Sequence, residues 1–214
     1  MPAPLIIDRI QATGLIDRFT RWCLETIAAD LGSIRSHLSS FADSPIAINL
    51  TPRQLSWTQY SDLHVAICEV HGLQPRDLVI EVVESSEIRP GDPAETTLRR
   101  LSEAGCQIAL DDFGTGHNAL GYFTQFPIDA VKFDRSLVGI MSRNEAARKI
   151  LKALAAMADD LGVQALAEGI ESEVEAQLCR AAGIQFGQGW HLGRPAPLPA
   201  FISLASEAAV VAVS

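Results

Sequence analysis

The sequence predicts a parallel α/β fold, and three observations carry that reading. Helix-period stretches alternate with short apolar runs along the chain. Most of those runs are apolar nearly throughout, not at every second residue, which is the pattern of parallel strands covered on both faces. The joints between elements are short and marked by Gly or Pro. With 214 residues, 48% of them hydrophobic, the chain fits one domain that buries roughly 70% of the surface its unfolded form would expose.

In chain order, Leu15 to Leu31 reads as an amphipathic helix with Ile16, Phe19, Cys23, Ile27 and Leu31 on one face. Ile46 to Leu50 is the first strand. Pro52 to Val70 is a helix with proline in its first turn and Gly72 past its end. Leu78 to Val83 is the second strand, followed by a helix over Ala94 to Ala104 that Gly105 closes. Gln107 to Leu110 and Ala130 to Phe133 are the third and fourth strands. A helix over Asn144 to Leu161 ends at Gly162, Val163 to Ala167 is the fifth strand, and a helix over Glu171 to Ala182 ends at Gly183. Gly187 to Leu192 is the sixth strand, ahead of a last helix over Pro199 to Ala209. The tail from Ala208 to Ser214 is small and apolar and takes no assignment. No linker or low-complexity tract divides the chain, so residues 1–214 read as a single domain.

The net charge of -9 argues against non-specific binding to duplex nucleic acid or anionic membrane, but not against a small anion held by metal ions and local donors. Cys23, Cys68, Cys106 and Cys179 are scattered with no Cys-x-x-Cys pair, so reduced thiols in or near the core are expected. Met1 to Ile7 lacks the basic region of a signal peptide, and no apolar run approaches the roughly 20 residues of a membrane span. The expected location is therefore the cytoplasm.

The polar residues are more informative than the strands. Successive runs end in a group able to bind metal or act on phosphate: Asn49, Glu81, the pair Asp111 and Asp112, Lys132, Glu168 and Gln188. In an α/β barrel the C-terminal ends of the strands converge on one face, so these residues can meet in one pocket. Neighbouring strand residues point to opposite sides, so Asp111 and Asp112 reach one site only where the strand ends and the backbone turns. Phe113-Gly114-Thr115-Gly116 is expected to supply that turn. Paired carboxylates of this kind suit a two-metal phosphoryl-transfer site. Hard oxygen ligands favour Mg²⁺ or Mn²⁺, and none of the five histidines has zinc-ligand spacing. Lys132 lies within an apolar strand, where a lysine needs a charged partner. Beside a metal-carboxylate cluster it can orient water or neutralise phosphate; otherwise it forms a structural ion pair with Asp129 or Asp134. His117 and His191 can reach a ligand, although a surface role fits both.

These residues carry a resemblance. Ile108-Ala-Leu-Asp-Asp-Phe-Gly-Thr-Gly116 resembles the strand and loop of the EAL-domain cyclic di-GMP phosphodiesterases. Around it stand Ala47-Ile-Asn-Leu-Thr-Pro-Arg-Gln-Leu55, Val79-Ile-Glu-Val-Val-Glu-Ser85, Val131-Lys-Phe-Asp-Arg-Ser136, Ala167-Glu-Gly-Ile-Glu171 and Gln188-Gly-Trp-His-Leu-Gly-Arg-Pro195, in the family's order and spacing. The resemblance covers about residues 5 to 203. It implies a TIM-barrel-like EAL fold and hydrolysis of cyclic di-GMP to linear pGpG with Mg²⁺ or Mn²⁺. It implies Asn49, Glu81 and Asp111 as ligands of one metal, and Asp111, Asp112 and Glu168 as ligands of the second. It implies Lys132 as the contact of the attacking water and Glu84 as the residue that steadies the loop from Asp112 to Leu120. Gln188, Arg194 and Asp134 are the implied nucleotide contacts.

The chain departs from the family's pattern at its start. The family's first two strands, the second bearing Glu-Ala-Leu, have no counterpart in these residues, so six of eight strands and a reduced activity are expected. His117-Asn118-Ala119 stands where the family usually has Tyr-Ser-Ser, Val83 where it usually has Thr, and Trp190 where it usually has Tyr. Two functions fit: a phosphodiesterase, or a catalytically weak module that binds cyclic di-GMP or a protein. An open sheet edge near Ile46 to Leu50 invites a second copy or a partner that contributes strands.

Overall fold

The structure is a computed structural model describing residues 3–84, 88–114 and 119–212. One sheet carries six strands in the order β1 (Ile46–Asn49), β2 (Leu78–Val83), β3 (Ile108–Phe113), β4 (Ala130–Phe133), β5 (Gln164–Ala167) and β6 (Phe186–Gly187). From β2 to β6 each strand runs parallel to the next. Ahead of β1 stand α1 (Ala3–Ala12) and α2 (Ile16–His37); between strands stand α3 (Pro52–Leu55), α4 (Tyr60–Val70), α5 (Pro93–Glu103), α6 (Ala119–Gln125), α7 (Arg135–Met141), α8 (Glu145–Asp160) and α9 (Glu173–Ala181); α10 (Leu198–Ala212) follows β6. This strand-then-helix order is that of a TIM-barrel-like α/β fold with six strands.

By contact the chain forms two compact units: Met1–Val79 with Ile88–Cys106 and Ala196–Ser214, and Ile80–Glu87 with Gln107–Pro195. In the first, α2 buries Ile16, Thr20, Leu24, Ala28, Leu31 and Ile34. This stripe lies beside the one expected from the sequence, and Phe19, Cys23 and Ile27 flank it half-buried. A threonine is tolerated in the buried stripe because its hydroxyl donates to the Ile16 carbonyl at 2.8 Å and accepts from Gln54 Nε2 at 2.8 Å. The expected helix from Pro52 to Val70 is two helices. Thr51 caps α3 with a reciprocal Thr51–Gln54 pair, the chain then turns, and α4 begins at Tyr60. A cavity of about 420 Å³ in this unit is lined by Ile27, Leu31, Phe41, Ile46 and Phe201 among others.

The second unit holds most of the sheet. Its strands β2, β3 and β4 are buried on both faces as the sequence predicts. β1 and β6 are not: only Ile48 of β1 is buried, and both residues of β6 are exposed. They are the edge strands, covered on fewer sides. The expected last strand over Gly187 to Leu192 shrinks to β6 because the chain turns against Ile170. There His191 N–H donates to the Ile170 carbonyl at 3.0 Å and Leu192 N–H to the Gly189 carbonyl at 3.0 Å. Two helices went unassigned in this unit, α6 and α7, and one in the first unit, α1. All four cysteines are free thiols, three of them buried. Among the described residues no helix is long and apolar enough to cross a membrane.

Candidate active site

Four consecutive strands of the second unit bring the acidic residues together. Glu81 is buried within β2, Asp111 and Asp112 lie in β3, Lys132 in β4, and Glu168 directly follows β5. The β3–β4 register explains how two adjacent carboxylates serve one site. Leu110 pairs with Val131 and Phe113 with Phe133, so Asp111 and Asp112 together stand against Lys132 alone. This is a β-bulge, which re-aims side chains. Asp112 has φ 56, the one positive φ at a non-glycine among the described residues. Asp and Asn are, after glycine, the residues that visit this region most readily, whereas it costs most other L-residues roughly 1–2 kcal/mol. The turn expected after the Asp pair is thus made within it, and β3 runs on through Phe113. Gly114, with φ 97, then leads the chain away.

Lys132 is the hub. Its Nζ lies 2.8 Å from Glu81 Oε1, 2.9 Å from Asp111 Oδ1 and 2.7 Å from Glu168 Oε1. The alternative partners Asp129 and Asp134 are engaged elsewhere: Asp129 accepts from the Ile108 N–H at 2.8 Å, and Asp134 caps α7 by accepting from the Ser136 N–H at 2.9 Å. Lys132 is only 5% exposed. Burial acts against its charge, but the hydrogen bonds to Glu168 and Glu81 outweigh burial and hold the ammonium above its ordinary range. Four carboxylates face this one ammonium. Burial, then the charge of Asp111, pushes the Asp112 carboxyl up; burial also raises Glu168, against the pull of Lys132.

Asp111, Asp112 and Glu168 each place one oxygen within 4.8 Å of the others. Three converging hard oxygens with surplus negative charge are a donor set that fits a divalent cation. Glu84 follows β2, and its Oε2 accepts from the Gly114 N–H at 2.8 Å, tying down the start of the loop beyond the Asp pair. The rest of that loop, including His117, lies outside the described residues. Asn49 closes β1 in the first unit and is exposed.

Gln188 and Arg194 are exposed. The Gln188 backbone bonds to Ala167 and Ile170, and the Arg194 guanidinium lies 4.8 Å over the Trp190 ring. His191 pairs with Glu173 at 3.1 Å, a surface role. The sequence reading missed Gly169. It has φ 66, and a side chain there would run into the Arg135 Cβ at the start of α7. The Glu-Gly step after an apolar strand was the available signal, because only glycine lets the chain turn this closely beside Glu168.

The EAL domain family model matches residues 1–195. The bifunctional diguanylate cyclase/cyclic di-GMP phosphodiesterase MucR of Pseudomonas aeruginosa is 32% identical over 188 residues, which is 87% of this chain and 27% of MucR. The cyclic di-GMP phosphodiesterase NbdA of the same organism is 32% identical over 194 residues, covering 91% of this chain and 24% of NbdA. The chain spans about a quarter of the length of these relatives. An EAL enzyme solved with cAMP and cyclic di-GMP bound superposes with a TM-score of 0.88 at 27% identity, covering 96% of this chain and 56% of that one.

Proposed function

The chain belongs to the EAL domain family, and from that premise we propose that it hydrolyses one phosphodiester of cyclic di-GMP, giving linear pGpG, with two Mg²⁺ or Mn²⁺ ions. Relatives named as cyclic di-GMP phosphodiesterases and a structural neighbour solved with that nucleotide support the substrate. The single observation that carries the chemistry is the convergence of Asp111, Asp112 and Glu168 beside the Lys132 ammonium.

Asp111, Asp112 and Glu168 would hold one cation, and Glu81 with Asp111 would contribute to the other. When bound, the cations supply a water of lowered pKa and positive charge against the phosphate in the transition state. The protein's own residues prepare the rest. Lys132 is held protonated between three carboxylates that engage all three of its N–H donors; once a cation takes over one of those carboxylates, a freed N–H would reach the attacking water or a phosphate oxygen. Glu84 fixes Gly114 and so the exit from β3. Asp134, held ionised below its ordinary range because hydrogen bonds from Ser136 outweigh its partial burial, offers an acceptor to a nucleotide N–H. Gln188 and Arg194 sit on the exposed loop after β6, where nucleotide contacts belong.

The test is pGpG release from cyclic di-GMP with Mn²⁺ by the chain and by the double variant Asp111→Asn, Asp112→Asn. Release by the native chain that falls at least roughly 10²–10³-fold in the variant is expected, the cost of removing one electrostatic stabiliser, about 2.7–4 kcal/mol. Nucleotide binding without any release by the native chain overturns the enzyme reading in favour of a binding module.

A further inference from the structure

Lys132 contacts two of the three carboxylates that converge on the candidate cation position, Asp111 and Glu168, and a fourth carboxylate, Glu81, besides. A buried ammonium and a divalent ion therefore draw on the same negative charge. Resting on the metal-dependent reading above, we infer that Lys132 is an internal competitor for the metal. It neutralises the cluster, keeps the strands together without a divalent ion, and must give up carboxylate contacts as the cation loads, so that it sets the metal concentration at which the site fills.

Three features of the site support this. Lys132 has no solvent to retreat into, being 5% exposed, so its charge is balanced by the carboxylates or by nothing. Its alternative acidic neighbours, Asp129 and Asp134, are committed to backbone N–H groups. Its position is set by β4, whose register with β5 is regular from Ala130 to Phe133. The ammonium is thus fixed by the strand at its Cα and free to move only along its flexible stem. A lysine that only bridged water to phosphate would need no such three-carboxylate seat.

The experiment is calorimetric titration of the chelator-stripped chain with Mn²⁺, with melting curves at each metal concentration, for the native chain, Lys132→Met and Lys132→Arg. Lys132→Met should melt lower without metal, bind Mn²⁺ at least tenfold more tightly, and gain more in melting temperature on loading; Lys132→Arg should stay near the native affinity. Binding by Lys132→Met that is equal to or weaker than native overturns the inference and leaves the metal site standing. No binding by either protein at millimolar Mn²⁺ overturns both. If Lys132→Met does not fold without metal, the native chain decides alone by NMR of its lysine ammonium groups. A slowly exchanging ammonium signal that is lost or shifted on adding Mg²⁺ supports competition, and one that stays unchanged as Mg²⁺ binds refutes it.

Discussion

Replacing Gly169 with alanine should destabilise the protein far more than the same change at Gly162, although both glycines have nearly the same φ. Their φ values are 66 and 71. The left-handed conformation costs an alanine roughly 1–2 kcal/mol at either position, and the narrower unfolded ensemble returns about 0.4–1 kcal/mol at both. The environments differ. A Cβ at Gly162 meets open space, whereas at Gly169 it runs into the Arg135 Cβ, with the Arg135 Cα at 3.2 Å. Those atoms belong to the first turn of α7 and cannot rotate away. Overpacking of this kind costs about 1–3 kcal/mol. Gly169→Ala should therefore exceed Gly162→Ala by about 1–3 kcal/mol in urea unfolding, and it should weaken Mn²⁺ binding because Glu168 is the preceding residue. Equal losses at the two sites, or unchanged metal binding in Gly169→Ala, would refute the claim that this close approach positions Glu168.

Three further outcomes are expected. The double variant Asp111→Asn, Asp112→Asn should lose divalent-ion binding by calorimetry at millimolar metal, and retention of native affinity would remove the carboxylate pair from the metal site. His64 is fully buried on α4, and burial lowers its pKa from 6.5 to about 4. A folded value below the unfolded one means stability is complete above about pH 6.5 and falls by up to about 3 kcal/mol as pH drops toward 4; urea midpoints across that range should show the fall, and His64→Leu should flatten it. The exposed edge of β1, with three of its four residues outside the core, should favour self-association or a strand-contributing partner. Sedimentation of a stable monomer at tens of micromolar would count against it.

The sequence made the order of strands legible because parallel strands covered on both faces are apolar throughout, as β2, β3 and β4 are. It also made the acidic cluster legible, since each of Glu81, Asp111, Asp112 and Glu168 interrupts or ends such a run. Less was legible where local pattern and tertiary contact disagree. On α2 two apolar stripes lie side by side, and a hydrogen bond between Thr20 and Gln54, 34 residues apart, chooses between them. The strand expected over Gly187 to Leu192 is reduced to the two residues of β6, because Gly189 packs against the Ile170 backbone. The charged partner that a lysine in an apolar strand needs is here three carboxylates, Glu81, Asp111 and Glu168, and neither Asp129 nor Asp134. Nothing in its own strand announces this, because the partners come from three other strands or strand ends.

The bulge at Asp111–Asp112 makes a last prediction about what the site costs the fold. Asp112 is held in the left-handed region, and its carboxylate is pressed by burial and by the charge of Asp111. Neither feature helps the chain fold; each serves convergence with Glu168. Asp112→Asn keeps a side chain that tolerates φ 56 while removing the repelling charge. It should therefore raise the melting temperature in metal-free buffer, by the equivalent of about 0.5–2 kcal/mol, while divalent ions no longer stabilise it. Asp112→Ala loses the charge too but keeps the strain without a side chain suited to it, so it should fall below Asp112→Asn by about 1 kcal/mol. Asp112→Gly relieves the strain yet frees the unfolded chain, and should lie close to Asp112→Asn. The comparison is read from thermal melts with and without Mn²⁺. If Asp112→Asn melts lower than the native chain in metal-free buffer, the Asp112 carboxylate stabilises the fold in its own right, and its crowding against Asp111 does not reflect a metal-binding demand.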